Sequence, residues 1–200
     1  MQYIDMFPTP VYASVELDLR NKILPVAEDY INRHGRPYRD QLSYISTYNV
    51  DSANVEQNFD NRLDPLTTHI KNAAKKYFED NSIQPIECSI YYLFNKITFG
   101  GEHALHAHPH SLLSGVFYVK IPEGAPPIIF NDPRGHYKYI QYPFKFGNSR
   151  EMYKLLPEYV ITPTDGMMLL WPGWLEHQVP SSKSSNERIT IAFNLMKTIK

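Results

Sequence analysis

The chain of 200 residues has a single cysteine, Cys88. No intrachain disulfide can form, and a reducing compartment, the cytoplasm, is the expected location. Charge of one sign is also lacking. The formal net charge is −1, which argues against a broad nucleic-acid-binding surface. No apolar run approaches the roughly 18 residues of a membrane-spanning helix, so no membrane association is expected. The opening segment, MQYIDMFPTPVY, has no basic start followed by an apolar stretch, and so does not read as a signal peptide. Internal repeats, low-complexity tracts and an obvious linker are missing too. What remains is a chain that is 42% hydrophobic, of a length that suits one globular domain with a sizeable core. It is rich in tyrosine (15) and proline (16), which suits many short strands and turns and an aromatic binding surface.

The domain is expected to have two unequal parts. Residues 1–84 read as a mostly helical support. In LRNKILPVAEDYINRHG, residues Leu19, Ile23, Val26, Ala27, Tyr30 and Ile31 recur at helical spacing, and Gly35 suits the stop. Pro25 should make this helix start late or kink. In DPLTTHIKNAAKKYFEDN, Asp64 suits an N-cap and Pro65 the first helical position. Leu66, Ile70, Ala73, Ala74 and Tyr77 then form one apolar stripe, with His69 beside it. Residues 85–200 read instead as strands: CSIYYLFNKI, LLSGVFYVKI, PPIIF, EYVIT, GMMLLW and RITIAFNLM. Six short strands without alternating helices predict a sandwich or jelly roll, and exclude a doubly wound sheet. The long aromatic connection from Asn131 to Pro157 has the length of a functional lid.

Four of the eight histidines lie in one run, HALHAHPH, from His103 to His110. Along a strand, residues i and i+2 share a face, so His106 and His108 can chelate one metal from a strand end. Pro109 should end the strand before His110, and His103, next to GGE, is expected in a turn. A third histidine, His177, follows an apolar strand far along the chain. A jelly roll can bring it to the first two, giving a facial triad with open positions that suit non-haem Fe(II). Arg188 opens an apolar strand, where a buried guanidinium needs an anionic partner. A carboxylate ligand would satisfy it through a bidentate fork, and Thr190, on the same face, could add a hydroxyl.

In this order the motifs H-x-H, SGVFYV, P-x-D-G, H and R-x-T resemble the Fe(II)/2-oxoglutarate-dependent oxygenases. More narrowly, the chain is similar to a group of such oxygenases from marine phages and bacteria. The shared segments are FPTPVY (Phe7 to Tyr12), HAHPHSLLSGVFYV (His106 to Val119), DPR (Asp132 to Arg134), HQVP (His177 to Pro180) and RITIAFN (Arg188 to Asn194). They cover about the last 110 residues well and the first 80 only at the opening segment. The resemblance implies a mainly β fold with N-terminal helices, its core a double-stranded β-helix (a cupin-like jelly roll). It implies iron on His106, His108 and His177, although most of the superfamily has a carboxylate where this chain has His108. Arg188 and Thr190 then match the clamp on the far carboxylate of 2-oxoglutarate, while Asn95 and Tyr118 match positions that hydrogen-bond this co-substrate. Asn131, Asp132 and Arg134 open the long loop and could meet the primary substrate or simply make a turn. The implied activity is hydroxylation, with O₂ and 2-oxoglutarate consumed and succinate and CO₂ released. The expected primary substrate is a protein or peptide residue, prolyl included. Oligomeric state is left open, a homodimer included. Two other classes fit the residues less well: a three-histidine cupin that does not use 2-oxoglutarate, which has no need of Arg188 and Thr190, and a non-catalytic binding or virion-associated jelly roll. Trp171 and Trp174 are expected to pack the core, and His103, His110 and His136 to be neighbours of the site or surface residues.

Overall fold

The computed structural model describes residues 8–134 and 158–198. Phe7, His136 and the aromatic connection after Arg134 lie outside them. Two antiparallel sheets face each other. The larger has seven strands in the order β1-β9-β6-β11-β4-β3-β2, and the smaller has four in the order β5-β10-β7-β8. In chain order these are β1 (Tyr12–Val15), β2 (Arg36–Tyr38), β3 (Gln41–Ser46), β4 (Cys88–Ile97), β5 (His103–His106), β6 (Leu113–Lys120), β7 (Ile128–Asn131), β8 (Glu158–Ile161), β9 (Met167–Pro172), β10 (His177–Val179) and β11 (Arg188–Lys197). Neighbours in space are distant in sequence, as in a jelly roll, and the six expected strands appear as β4, β6, β7, β8, β9 and β11.

The strands of the larger sheet carry two different faces because side chains alternate along each of them. From β11, Ile189, Ile191, Phe193 and Leu195 join Tyr92 and Phe94 of β4 and Phe117 and Val119 of β6 in one core with the helices. The intervening residues Arg188, Thr190, Ala192 and Asn194 line a cavity between the sheets. Strand approach is close at β6. A Cβ on Gly115 would stand 2.3 Å from the Phe193 ring and 2.6 Å from the Leu169 carbonyl oxygen, so no larger residue fits without moving β9.

Two long helices, α1 (Leu17–His34) and α3 (Asp64–Asp80), cover the outer face of the larger sheet, with the short α2 (Asp51–Glu56) between them. Helix α1 runs through Pro25 rather than starting after it. Proline removes one N–H, but burial of Ile23, Val26, Ala27, Tyr30 and Ile31 outweighs one lost hydrogen bond. Gly35 closes the helix by donating to the Ile31 carbonyl at 2.9 Å, and its lack of a side chain admits Ile45 of β3, whose methyl would meet a Cβ at 2.6 Å. Helix α3 begins at Asp64 itself, with Leu63 as its cap residue, because a 3-10 turn over Asn61–Leu63 leads straight into it. That turn is capped by Asp60, whose side chain accepts from the Arg62 N–H. The predicted stripe from Leu66 to Tyr77 is buried throughout. On the solvent side, Arg33 and Arg62 bind Asp29, Glu56 and Asp60 with closest N···O distances of 2.7–2.9 Å, tying α1, α2 and the 3-10 turn together. Alongside these helices the first 84 residues supply three strands, β1, β2 and β3, to the larger sheet. Among the described residues no helix is long and apolar enough to cross a membrane.

Candidate active site

His106 ends β5 and His177 begins β10, and the two strands pair so that these residues face each other directly. His108 lies just past β5. Its backbone N–H donates to the Gly173 carbonyl at 2.7 Å, and its carbonyl accepts from Ser111 at 3.0 Å. This loop can come so close only because residue 173 is glycine: a Cβ there would lie 2.2 Å from the Ser111 carbonyl oxygen and 2.7 Å from that of His108. As a result one nitrogen from each of His106, His108 and His177 lies within 4.8 Å of the other two, so the three can converge on a single ion.

The tautomers of two rings follow from their partners. Nδ1 of His106 faces the Ala104 carbonyl oxygen at 2.8 Å, and Nδ1 of His177 faces that of Leu175 at 2.9 Å. A carbonyl only accepts, so each Nδ1 carries the proton and each Nε2 offers its lone pair inward. Burial favours the neutral form of all three histidines. It pushes the pKa of His177 down to about 3, with the neighbouring His106 adding to the effect, and that of His108 to about 4. His106 is also lowered, chiefly by burial, with its bond to Ala104 opposing. His103 is not in a turn as expected but starts β5. Its ring stacks on His106 at 4.0 Å, and its Nδ1 lies 3.2 Å from Tyr44 Oη.

The cavity of about 300 Å³ extends from these histidines along the inner face of the larger sheet. Asn95, Thr190 and Tyr118 form one row across it: Thr190 pairs with Asn95 of β4 on one side and with Tyr118 of β6 on the other. Arg188 is two residues along the same strand, and only 3% exposed. Its guanidinium carbon sits 5.4 Å from the centre of the Tyr118 ring. Arg188 and Tyr118 lean on each other. Among the described residues neither Arg188 Nε nor Tyr118 Oη has a hydrogen-bond partner beyond that contact, and no carboxylate lines the cavity. Burial pulls the arginine pKa down, yet a guanidinium in a protein stays protonated. A buried cation beside an unpaired hydroxyl is costly unless an anion enters. Asn95 is differently placed: its Oδ1 accepts from Ser46 Oγ at 2.7 Å and Tyr44 Oη at 3.3 Å, and its Nδ2 donates to the Leu93 carbonyl at 3.0 Å.

Several expected residues sit elsewhere. Asn131 is buried at the end of β7, and Asp132 and Arg134 bind each other in a turn at 2.6 Å; none of the three lines the cavity. Trp171 does pack the core, against Phe130 and His177. Trp174 does not: it is 54% exposed, because it occupies the turn between β9 and β10. Sequence reasoning missed Tyr38, Arg39, Tyr44 and Tyr48, which line the cavity from the β2–β3 hairpin.

A family model described as "Putative 2OG-Fe(II) oxygenase" matches residues 94–194, from the middle of β4 to most of β11. The chain belongs to this family. It is a 2-oxoglutarate-using Fe(II) oxygenase, with O₂ as the second co-substrate. Solved structures of similar fold agree. A prolyl-4-hydroxylase from Pseudomonas putida matches with a TM-score of 0.60 and 11% identity, covering 96% of this chain and 94% of that one. The epimerase SnoN, solved with Fe3+, alpha ketoglutarate and nogalamycin RO, matches with a TM-score of 0.64 and 10% identity over 94% of this chain and 79% of that one. HygX from Streptomyces hygroscopicus, solved with nickel and 2-oxoglutarate, matches with a TM-score of 0.56 and 12% identity over 96% and 84%. At these identities the likeness is one of fold, the double-stranded β-helix. No curated protein matches the chain in sequence.

The residues present fit the cofactors of the oxygenase. Three neutral imidazoles offer lone pairs to a divalent ion, and the unpaired donors of Tyr118 and Arg188 suit a carboxylate.

Proposed function

We propose that His106, His108 and His177 hold the Fe(II), that Arg188, Thr190 and Tyr118 receive the far carboxylate of 2-oxoglutarate with Asn95 bracing the row, and that the enzyme hydroxylates a protein or peptide residue. The observation that carries this reading is the buried Arg188, with no carboxylate to meet it among the described residues, on the same cavity as the three histidines. Bound together, Fe(II), 2-oxoglutarate and O₂ supply an oxidant that converts a C–H bond to C–OH, with succinate and CO₂ released. The protein's part is positional. Backbone carbonyls fix two of the imidazoles, Arg188 and the Thr190 row fix the far end of the co-substrate, and Trp171 and Phe130 wall the His177 side against water. A peptide substrate is supported by the open mouth, where tyrosines 38, 48 and 91 line the cavity. A prolyl ring is the residue suggested by one distant neighbour, the Pseudomonas putida prolyl-4-hydroxylase. The chain is one domain, in which the helices of residues 1–84 support a core over 85–200 and their three strands extend its larger sheet to the cavity. The proposed location is the cytoplasm, that of the host for a phage-encoded chain, since the motif resemblance is to oxygenases of both phages and bacteria.

The test is succinate release from 2-oxoglutarate by the full chain with added Fe(II), beside calorimetric binding of 2-oxoglutarate. The expected result is metal-dependent binding and slow uncoupled turnover that rises when peptides containing the target residue are supplied. Absence of both binding and turnover would falsify the assignment. The three-histidine cupin reading predicts metal binding without 2-oxoglutarate binding.

A further inference from the structure

The β2–β3 hairpin turns through two residues, Arg39 and Asp40, between the paired Tyr38 and Gln41. Both have left-handed backbone, φ 48° and 64°. A tight hairpin of this kind asks for Asn-Gly or Asp-Gly. Placing a long side chain at the first position costs about 1–2 kcal/mol, and such strain collects at sites of function. The strain sets Arg39 at the rim of the catalytic cavity. Its guanidinium carbon lies 5.3 Å over the Tyr38 ring. Tyr38 meets His103 edge-on at 5.1 Å, and His103 stacks on His106 at 4.0 Å. The arginine is thus three contacts from the histidine cluster. It is exposed and makes no ion pair among the described residues.

The cavity lining carries two arginines, Arg39 and Arg188, and no aspartate or glutamate among the described residues. The third iron-binding position, where a carboxylate would bring one negative charge, is the neutral His108. A divalent cation and two guanidiniums against the two charges of 2-oxoglutarate leave a balance of about +2 around the cavity, a positive field that draws an anion to its open end. Arg188 is committed to the co-substrate, so the anion's partner is Arg39.

We propose that Arg39, with Tyr38 beneath it and Tyr48 and Tyr91 along the wall, is the primary-substrate subsite and takes a peptide with a carboxylate close to the residue that is oxidised. The proposal rests on the co-substrate assignment above. The flat aromatic faces accept the apolar body of the substrate, and the guanidinium forks onto its carboxylate.

Ligand-observed NMR on the full chain tests this, with Zn(II) in the metal site and saturating N-oxalylglycine in place of 2-oxoglutarate. Two isosteric pairs serve as probes: phenylacetate against phenylacetamide, and acetyl-Glu-Pro-amide against acetyl-Gln-Pro-amide. The acid of each pair should bind at least about tenfold more tightly than its amide. Arg39→Ala should erase that preference and Arg39→Lys should keep part of it, while N-oxalylglycine affinity and melting temperature stay unchanged in both variants. Preference in the first pair alone keeps the anionic subsite and assigns it to a small acid instead of a peptide. Equal or absent binding within both pairs, or a preference that survives Arg39→Ala, overturns the subsite but not the co-substrate assignment. Failure of N-oxalylglycine to bind the wild-type chain overturns both.

Discussion

Strand β11 carries two proteins' worth of chemistry on alternate residues. On the helix side Ile189, Ile191, Phe193 and Leu195 are no more than 1% exposed and touch only hydrocarbon and aromatic neighbours. On the cavity side Arg188 and Thr190 are as well buried as many core residues, yet Arg188 Nε and Tyr118 Oη beside them lack partners beyond each other. The four helix-side residues carry no charged or hydroxyl group of their own. The cavity-side face carries a buried guanidinium that meets no carboxylate among the described residues lining the cavity, which is the place proposed above for the co-substrate. Burial alone does not separate core from site; what marks the site is a buried charge with no opposite charge on the cavity it lines.

This contrast can be broken from either face. The largest effect belongs to His177→Ala, which removes the most buried of the three imidazoles. Turnover should fall to background and bound metal should be lost, as read by elemental analysis, while circular dichroism of the folded chain is unaltered. Retained stoichiometric metal would mean that His177 is not a ligand. On the opposite face, Phe94→Ala deletes a ring stacked on Tyr30 at 4.2 Å. It should cost about 3–5 kcal/mol of unfolding free energy in denaturant titration, with 2-oxoglutarate affinity unchanged in the fraction that remains folded. A third change makes the two faces trade places. Arg188→Met should weaken 2-oxoglutarate binding by about 2–5 kcal/mol, yet hold or raise the melting temperature of the ligand-free chain, since a buried unpaired charge is gone. A fall in melting temperature, or an equal loss of metal, would make the arginine structural.

The smallest effect concerns the rim of the helical layer. Arg33, and next Arg62, hold the Asp29 carboxyl at about 2, against some 3.9 in an unfolded chain. Glu56 and Asp60 are also lowered, mainly by Arg33 and Arg62 respectively. A carboxylate with a depressed folded pKa stabilises above its unfolded value and loses that contribution as pH falls through the folded one. Melting temperature should therefore drop from about pH 4 toward pH 2, and modestly, because these side chains are about a third exposed in the main and screened. Molar salt should flatten the slope. An Asp29→Asn chain with the same acid profile as the wild type would contradict the attribution.

Much of the β core was legible because its strands are long and alternate cleanly. In RITIAFNLM the period of two already separates Arg188 and Thr190 from Ile189 and Ile191, and Asn95 and Tyr118 fall opposite Thr190 as the jelly roll requires. The meeting of His177 with His106 and His108 was legible only through the motif order, since no local pattern encodes a pairing between residues seventy apart. Strands β2 and β3 were not legible. RPY is three residues long, and QLSYIS has polar residues on the cavity side where a core strand would have apolar ones. Arg39-Asp40 lacks the glycine that announces a tight hairpin. Helix α1 hid its true start behind Pro25, whose local penalty lost to the packing of five buried side chains.

The β2–β3 hairpin lies at the outer edge of the larger sheet and pairs with β4 at only three positions, Tyr44, Ile45 and Ser46. It also lies wholly outside residues 94–194, the stretch that defines the family. Under the subsite proposed above, chemistry and choice of substrate occupy separate stretches of the chain. The tip of the hairpin, at Arg39 and Asp40, lies beyond the stretch that pairs with β4 and holds Asn95, and so can change without disturbing it. On that assignment, a change of target needs only a new hairpin tip and leaves the three histidines untouched.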